Sequence, residues 1–245
     1  MNRFFINGDI SAAGDESFLI TGANLKHIRL SLRLKTGESV VLCDGNGTEY
    51  ICVLDKITDD TAVARVVDCM RSGAESECRV SLFFALPKGD KAELIIEKAV
   101  ELGVYELCPF ISARCISRPD AKSLEKKTAR WQAIAESAAK QSGRGIVPKV
   151  NPTVQYKQAL EIAKNFDACL FFYENADNKM IEKRHTECER VAIFTGAEGG
   201  FSEDEVQAAA SMENCEVLTL GRRILRCETA PIAALSVLAY LEDAK

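Results

Sequence analysis

A change in the spacing of apolar residues near Arg79 constrains the fold of this 245-residue chain more than any other feature. Before it, short runs rich in β-forming residues alternate with polar turns. After it, longer and almost continuously apolar runs alternate with helical patterns. Strands that are apolar on both faces are typical of parallel sheets covered by helices on each side. The pattern therefore predicts two units, residues 1–72 and residues 73–245.

The N-terminal unit is predicted to be a small closed or nearly closed β-barrel. Its strand candidates are rich in β-branched and aromatic residues: RFFI (3–6), SVVLC (39–43), EYICVL (49–54) and TAVARVV (61–67). DGNG (44–47) separates two of them and is typical of a β-hairpin. A short helix is expected over residues 23–30. The polar stretch RSGAESE (71–77) indicates a linker.

The C-terminal unit is predicted to be an α/β domain with a parallel sheet. Its strand candidates are VSLFFAL (80–86), YELCPF (105–110), ACLFFY (168–173), VAIFT (191–195) and CEVLTL (215–220). Residues 90–102 have a helical pattern, with Asp90 as a cap, Glu93 three residues later and Gly103 as a stop. Such sheets bind ligands at the carboxyl ends of their strands. The loops after residues 173, 195 and 220 are therefore candidate sites.

Composition excludes several classes of protein. None of the ten cysteines forms a C-x-x-C pair and the chain has two histidines, so no metal site is predicted. Most of the cysteines are expected to be buried thiols in a reducing compartment. No apolar run is long enough to span a membrane or to form a signal peptide. We therefore expect a cytoplasmic protein that does not enter membranes.

The net charge of −5 conceals a basic middle segment. Residues 79–153 carry 13 Lys and Arg against 8 Asp and Glu. Since binding of an anionic polymer depends on the local field, such a segment is able to hold nucleic acid. A solvated, lysine-rich helix surface accounts for the same charges, and the charges alone do not separate the two interpretations.

The strand candidate at 191–195 is followed by GAEGGFSEDE (196–205), in which Ser202 and Glu205 predict a capping box. A glycine-rich loop before a helix usually indicates bound phosphate, but the G-x-G-x-x-G and G-K-[ST] patterns are absent. Glu198 and the carboxylates of residues 203–205 would repel phosphate. The glycines favour close backbone approach to an adenosine with a positive centre, such as S-adenosylmethionine. A tight turn that simply requires glycines is the alternative.

The segment LGRRILRCETA (220–230) places three arginines between a strand and a helix. Gly221 permits a sharp turn, and Thr229 is predicted to cap the helix, with Pro231 in its first turn. Arginines beside a ligand crevice bind phosphate or stabilise negative charge that develops on a substrate. Alternatively, one or more of them pair with Glu198 or Glu228 and only hold the loops in place.

These motifs resemble those of the bacterial 16S rRNA uridine-N3 methyltransferases, which belong to the SPOUT class. The family's G-P-E-G-G-F appears as GAEGGF (196–201), and its L-G-x-R-I-L-R-x-E-T-A appears intact as LGRRILRCETA. The remaining matches are KGDK (88–91), KAVELGV (98–104), RWQAIAESAAKQSGR (130–144), RFF (3–5), His27 and LRLKTGE (32–38). The resemblance covers essentially the whole chain. Ala197 replaces the family's proline, which loosens the turn but removes no functional group.

The resemblance implies a PUA-like, RNA-binding barrel followed by a SPOUT domain whose C-terminal segment forms a trefoil knot. It implies a homodimer that uses S-adenosylmethionine to methylate N3 of a uridine in 16S rRNA, uridine 1498 in the usual rRNA numbering. The substrate is expected within a small-subunit ribosomal particle. The last helix is apolar on most of its circumference, which fits a dimer interface or burial in its own domain.

The resemblance also assigns roles to residues. Those expected to bind the cofactor are Tyr173, Glu174, Gly196, Glu198, Gly199, Gly200, Leu220, Gly221, Ile224, Leu225 and Thr229. Arg226 would stabilise negative charge on the uracil oxygens, and Glu228 is a candidate proton acceptor. The candidates for RNA contacts are Arg3, Arg29, Arg33, Lys88, Arg114 and Arg144.

Two other functions remain open at this stage. A catalytically inactive RNA-binding module of the same fold would not bind S-adenosylmethionine in calorimetry, and the intact 220–230 motif argues against it. An α/β enzyme that uses another nucleotide would bind NAD or ATP. The missing phosphate motifs and the acidic glycine loop argue against that second alternative.

Overall fold

The computed structural model describes residues 1–14, 16–176 and 179–244, and the chain divides into two compact units. The N-terminal unit comprises Met1–Glu75 and Ala139–Val147, and the C-terminal unit comprises Ser76–Ala138 and Pro148–Lys245. The expected single boundary after residue 72 leaves out residues 139–147. These residues belong to the N-terminal unit, where Arg144 and Gly145 donate hydrogen bonds to the Glu75 carboxylate.

The N-terminal unit forms one mixed sheet. Its described strands are β1 (Asn2–Phe5), β2 (Ile10–Ala12), β3 (Ser17–Ile20), β4 (Ser39–Cys43), β5 (Thr48–Ile57) and β6 (Ala62–Arg71). The sheet order is β1-β4-β5-β6-β3-β2, in which only the β1–β4 pair is parallel. Over the residues described, β1 and β2 do not pair, so backbone hydrogen bonds do not close the sheet. The sequence pattern does not predict β2 and β3, because strands this short carry little periodicity.

Local signals in the N-terminal unit are confirmed at two places. The turn over residues 44–47 joins β4 and β5 into a hairpin, and the Asp44 carboxylate accepts hydrogen bonds from the N–H groups of Asn46 and Thr48 at 2.7 and 2.9 Å. Helix α1 (Gly22–Lys26) continues into a π-helical turn, His27–Ser31. Apolar side chains from the strands and this helical segment fill the core of the unit.

The C-terminal unit is an α/β domain. Its described strands are β7 (Arg79–Ala85), β8 (Glu106–Ile111), β9 (Lys149–Val150), β10 (Val154–Gln155), β11 (Ala168–Phe172), β12 (Arg190–Thr195) and β13 (Cys215–Leu218). Its helices are α2 (Lys91–Glu101), α3 (Ala121–Ser142), α4 (Tyr156–Ala163), α5 (Glu203–Ala210) and α6 (Thr229–Asp243), with a 3₁₀ turn at Lys183–Glu187. The last four residues of α3 belong to the N-terminal unit.

All strand pairs in the second sheet are parallel, in the order β10-β8-β7-β12-β11-β13, and β9 also pairs with β8. The five predicted strands are therefore confirmed. In β7, β8, β11 and β12 the apolar residues are buried on both faces, whereas β13 is mostly half-buried. The rings of Phe83 and Phe194 stack with centroids 4.6 Å apart. Because β12, β11 and β13 are adjacent and parallel, the three predicted ligand loops emerge at one edge of the sheet.

Of the three predicted helix caps, one is confirmed and two differ from the prediction. Ser202 and Glu205 form the predicted capping box of α5, with the Ser202 N–H 2.9 Å from Oε2 of Glu205. Asp90 holds the cap position of α2, but its side chain makes no capping hydrogen bond. Thr229 is the first residue of α6, because Glu228 occupies the cap position. Within the described ranges no helix is both long and apolar enough to cross a membrane.

Candidate functional site

The loops that follow β11, β12 and β13 enclose a cavity of about 190 Å³. It is lined by Phe172, Tyr173, Glu174, Gly196, Ala197, Glu198, Gly199, Gly200, Phe201, Thr219, Leu220, Gly221, Arg223, Ile224, Leu225, Cys227 and Ala230. Ten of the eleven residues predicted to bind the cofactor are in this set. Thr229 is the exception and does not line the cavity. Cys227 and Ala230 line it instead, a detail that depends on the angle at which α6 begins.

The glycine loop over residues 196–200 is a tight turn whose shape requires glycine. The Gly200 N–H donates to the Ala197 carbonyl at 2.9 Å, and Gly200 has a φ of 63°, in the left-handed region. A Cβ added to Gly196 would lie 3.1 Å from the Gly200 Cα, and one added to Gly200 would lie 3.1 Å from Oε1 of Glu174. Because a backbone hydrogen bond closes the turn, alanine at position 197 is compatible with it.

Glu174 provides the carboxylate that is available to a ligand in this cavity. It is exposed, and no described residue forms an ion pair or a side-chain hydrogen bond with it. A carboxylate in this state accepts hydrogen bonds from hydroxyl groups and attracts a positive centre.

Glu198 also lines the cavity, but its charge is compensated. Nζ of Lys91 lies 2.9 Å from Oε1 of Glu198, and the Lys88 N–H donates to the same oxygen at 3.2 Å. Partial burial acts to raise the pKa of Glu198, but the hydrogen bonds from Lys91 and the backbone outweigh it and lower that pKa. The uncompensated negative charge expected in the glycine loop therefore comes from Glu174 on the neighbouring loop.

Lys91 contacts a second carboxylate, that of Glu228. Its Nζ lies 3.5 Å from Oε2 of Glu228, and the Cys227 thiol donates to the same oxygen at 3.1 Å. Burial, reinforced by the neighbouring Glu228, raises the pKa of Cys227 to about 12, so this thiol stays protonated at neutral pH. The hydrogen bond from Cys227, with the charge of Lys91, lowers the pKa of Glu228 despite its partial burial. The prediction of an arginine partner for Glu228 is wrong, because Lys91 holds that position.

The three arginines of the 220–230 motif are exposed and retain their charge for a ligand. In the part of the chain that the structure describes, none of Arg222, Arg223 and Arg226 forms a side-chain ion pair. The suggested pairing with Glu198 or Glu228 is therefore not observed. Arg223 lines the cavity, and the Arg226 carbonyl accepts the N–H groups of Thr229 and Ala230 at 2.9 and 3.0 Å. Arg223 therefore brings a cation to the cavity, and the exposed Arg222 and Arg226 add positive charge to the same loop, which suits an anionic substrate.

A fourth segment, which follows β8, holds the glycine loop from outside. Nη1 of Arg114 donates to the Gly199 carbonyl at 3.1 Å, and the Ala113 N–H donates to Oε1 of Glu205 at 2.7 Å. A Cβ on Gly199 would lie 3.0 Å from Cβ of Arg114. The sequence predicts only an RNA contact for Arg114. Its role at the loop has no local signal, because 85 residues separate it from Gly199.

Two of the predicted RNA contacts are engaged inside the N-terminal unit. Nη1 of Arg3 lies 2.7 Å from Oε1 of Glu49, with 19% of the Arg3 side chain exposed. Nη2 of Arg144 lies 2.6 Å from Oε2 of Glu75, with 3% of the Arg144 side chain exposed. Both guanidinium groups neutralise carboxylates inside the unit, which disfavours the predicted RNA contact for either residue.

The other candidates for RNA contacts differ in how available they are. Nη1 of Arg29 donates to the Asp59 carbonyl at 2.7 Å and Nη2 contacts its carboxylate, so its charge is partly compensated. Arg33 and Lys88 are exposed, and their side chains have no ion-pair partner within the described ranges. Arg33 has a φ of 54° and lies with Arg29 and Lys35 around a shallow surface depression.

Both units match known protein families. Residues 20–67 match a family described as the RNA methyltransferase PUA domain, and residues 74–239 match one described as the RNA methyltransferase domain. The ribosomal RNA small subunit methyltransferase E of Bacillus subtilis (strain 168) is 35% identical over 98% of this chain and 96% of its own length. The Mesomycoplasma hyopneumoniae protein of the same name is 34% identical over 96% and 98%.

Solved structures show the same architecture. A Neisseria gonorrhoeae ribosomal RNA small subunit methyltransferase E bound to S-adenosylmethionine is 32% identical, with a TM-score of 0.85 over 98% of both chains. A Legionella pneumophila methyltransferase in complex with the same cofactor is 27% identical, with a TM-score of 0.79 over 98% of this chain and 97% of that one. With both domain types matched and the similarity extending over nearly the whole length, this chain belongs to the family of ribosomal RNA methyltransferases that join a PUA domain to an RNA methyltransferase domain.

Proposed function

We propose that this protein transfers a methyl group from S-adenosylmethionine to N3 of a uridine in 16S rRNA. The observation that carries the proposal is the juxtaposition at one edge of the sheet. A glycine-walled cavity contains the available carboxylate of Glu174 and is also lined by Arg223. Arg222 and Arg226, on the same loop, are exposed and, like Arg223, have no ion-pair partner among the described residues. The names and the bound cofactor of the similar proteins support the same reaction class.

The cavity fits an adenosine derivative with a positive centre. Gly196 and Gly200 both line the cavity, and the loop packs tightly there because a Cβ at either position would come within 3.1 Å of protein atoms. Glu174 is placed to accept hydrogen bonds from ribose hydroxyls or to face the positive centre, and Tyr173 and Leu225 supply flanking surface. When bound, S-adenosylmethionine supplies a methyl group on a sulfonium. The protein contributes the orientation of that group towards the base.

The arginines are suited to stabilising the negative charge that develops on the uridine base during methylation. N3 of uridine carries an imide proton, and its loss spreads negative charge onto the two adjacent carbonyl oxygens. A guanidinium near those oxygens favours the charged form, and we assign this task to Arg226. N3 lies on the Watson–Crick edge, so the uridine must be unpaired or flipped out. The lowered pKa of Glu228 makes it a weak proton acceptor, which disfavours the catalytic role predicted for it.

The proposal extends to assembly and location. We propose a cytoplasmic homodimer that acts on 16S rRNA in a small-subunit ribosomal particle, with uridine 1498 as the target. Helix α6 buries Leu235 and Leu238 in its own unit and exposes 41% of Val237 and 73% of Tyr240, which leaves an apolar surface for a second copy. A trefoil knot in this domain agrees with the hydrogen bond from the Thr219 N–H to the Lys179 carbonyl, because that bond joins the β11–β12 connection to the end of β13.

The reaction is tested by mass spectrometry of rRNA nucleosides from cells that lack the protein. Loss of 3-methyluridine from 16S rRNA, restored by the wild-type gene and not by an Arg226→Ala variant, is the expected result. Persistence of 3-methyluridine in the deletion strain would refute the proposed activity. Purified protein given labelled S-adenosylmethionine with either small subunits or naked 16S rRNA tests the state of the substrate, and methylation of the subunits is expected.

A further inference from the structure

We propose that Lys91 is a positioning residue for the methyl donor. It ties the glycine loop over residues 196–200 to the segment that leads into α6, and thereby sets the width of the cavity. This inference rests on the proposed function of the same site. Lys91 does not line the cavity, so it acts through the residues that it holds.

The contacts of Lys91 connect parts of the site that are far apart along the chain. Lys91 is the first residue of α2, which follows β7, whereas Glu198 follows β12 and Glu228 precedes α6. Its ammonium lies 2.9 Å from Glu198, 3.5 Å from Glu228 and 3.7 Å from Sγ of Cys227. Glu198 and Cys227 line the cavity on opposite loops. A single cation therefore bridges two of its walls.

Because its side chains are partly buried, this bridge should have a stronger electrostatic interaction than an ordinary surface ion pair. The exposed fractions of the Lys91, Glu198 and Glu228 side chains are 31%, 27% and 23%. Both carboxylates contact the same nitrogen, so they lie close to each other and repel when the cation is removed. The repulsion would push the glycine loop away from the α6 segment, and the backbone groups that face the ligand would separate.

Loss of the Lys91 bridge should affect binding of the methyl donor more than the chemical step. Loss of the bridge changes the ground-state geometry of the donor cavity but removes none of the arginine side chains that face the substrate. The KM for S-adenosylmethionine should therefore rise by about tenfold, while kcat at saturating donor changes by less than about threefold. A residue needed only for folding would instead lower the amount of active enzyme and leave KM unchanged.

Helix α2 offers a matched control. Lys98 contacts two carboxylates as well, Glu97 at 2.7 Å and Glu101 at 2.8 Å, with 36% of its side chain exposed. Both partners of Lys98 belong to α2, so its ion pairs do not reach the cavity. Lys98→Met thus removes a lysine with two carboxylate partners from the same helix without touching the site.

The experiment compares binding of S-adenosylmethionine to the full-length protein by calorimetry. Lys91→Met is expected to weaken binding about tenfold, Lys91→Arg to stay within about threefold of wild type, and Lys98→Met to bind as wild type does. Adding Glu228→Gln to Lys91→Met should recover part of the affinity, because it removes one of the two repelling charges. This double variant also provides a test if Lys91→Met alone folds poorly.

Two results would overturn the inference in different ways. If the wild-type protein binds S-adenosylmethionine and Lys91→Met binds it equally well, the bridge does not position the donor and only the inference fails. If the wild-type protein itself does not bind S-adenosylmethionine, the proposed function fails and the inference fails with it. An equal loss of affinity in Lys91→Met and Lys98→Met would also count against a specific role for Lys91.

Discussion

Nη2 of Arg144 lies 2.6 Å from Oε2 of Glu75, and this ion pair is buried within the N-terminal unit. The same carboxylate accepts the N–H groups of Gly145 and Ile146 at 2.8 and 3.1 Å. Glu75 therefore fixes residues 139–147 to the end of Met1–Glu75, although about 70 residues of chain separate them. This contact explains why a segment distant in sequence belongs to the N-terminal unit.

Replacing Glu75 with glutamine should destabilise the protein. The change removes the carboxylate charge that Glu75 presents to the buried Arg144 guanidinium, and the free energy of unfolding should fall by about 2 kcal/mol. Urea denaturation followed by circular dichroism measures this. The control is Asp55→Asn, which breaks an ion pair with Arg65 in which both side chains are more than 40% exposed and should cost below about 1 kcal/mol. Equal losses in the two variants would contradict the structural role given to Glu75.

The Lys91 bridge should give the stability a dependence on acid pH. Hydrogen bonds and the Lys91 charge hold the pKa of Glu198 and Glu228 below the ordinary value of 4.5 in the folded protein, outweighing their partial burial. Carboxylates with lowered pKa contribute stability above the unfolded value, and this contribution fades as the pH falls through the folded pKa. The difference in Tm between wild type and Lys91→Met should be constant near neutral pH and shrink below 4.5. A difference that stays constant through this acid range would exclude the assigned electrostatic origin.

Gly200→Ala should damage the donor cavity. Its φ of 63° places alanine in the left-handed region, which costs about 1 to 2 kcal/mol, and the new Cβ would press on Glu174. We expect the affinity for S-adenosylmethionine to fall at least about tenfold, measured by calorimetry. At Gly73 a Cβ would meet no atom within 4 Å and the backbone is outside the left-handed region, so Gly73→Ala should bind normally. Normal binding by Gly200→Ala would show that the turn tolerates a side chain.

Arg33 should contribute to the salt dependence of RNA binding. Its guanidinium is exposed, and no described residue pairs with it, so it is free to displace a counterion from a phosphate. Arg33→Ala should reduce the slope of log K against log salt by about one unit. Arg65→Ala is the comparison, because Asp55 already compensates that charge, and it should change the slope less. Filter binding or fluorescence anisotropy over a salt series decides the matter, and an unchanged slope for Arg33→Ala would remove it from the RNA surface.

Much of the fold was predictable because the information is local. A strand buried on both faces is apolar over consecutive residues, and the capping box of α5 needs only Ser202 and Glu205, three residues apart. The cavity was predictable for a related reason. Parallel strands end at the same edge, so loops that follow neighbouring strands must meet. Thr229 is absent from the lining, and the sequence does not foresee this, because the predicted cap position differs by one residue from the start of α6 in the structure.

By itself, the sequence determined that this protein has a β-rich unit and a parallel α/β unit, and which three loops form the ligand cavity. Tertiary structure alone decided how the charges pair. Lys91 pairs with Glu198 and Glu228, which leaves the arginines of residues 220–230 unpaired among the described residues, whereas Arg3 and Arg144 pair with Glu49 and Glu75. Ion pairing depends on distances of a few ångströms between side chains that are far apart along the chain, and those distances exist only once the chain has packed.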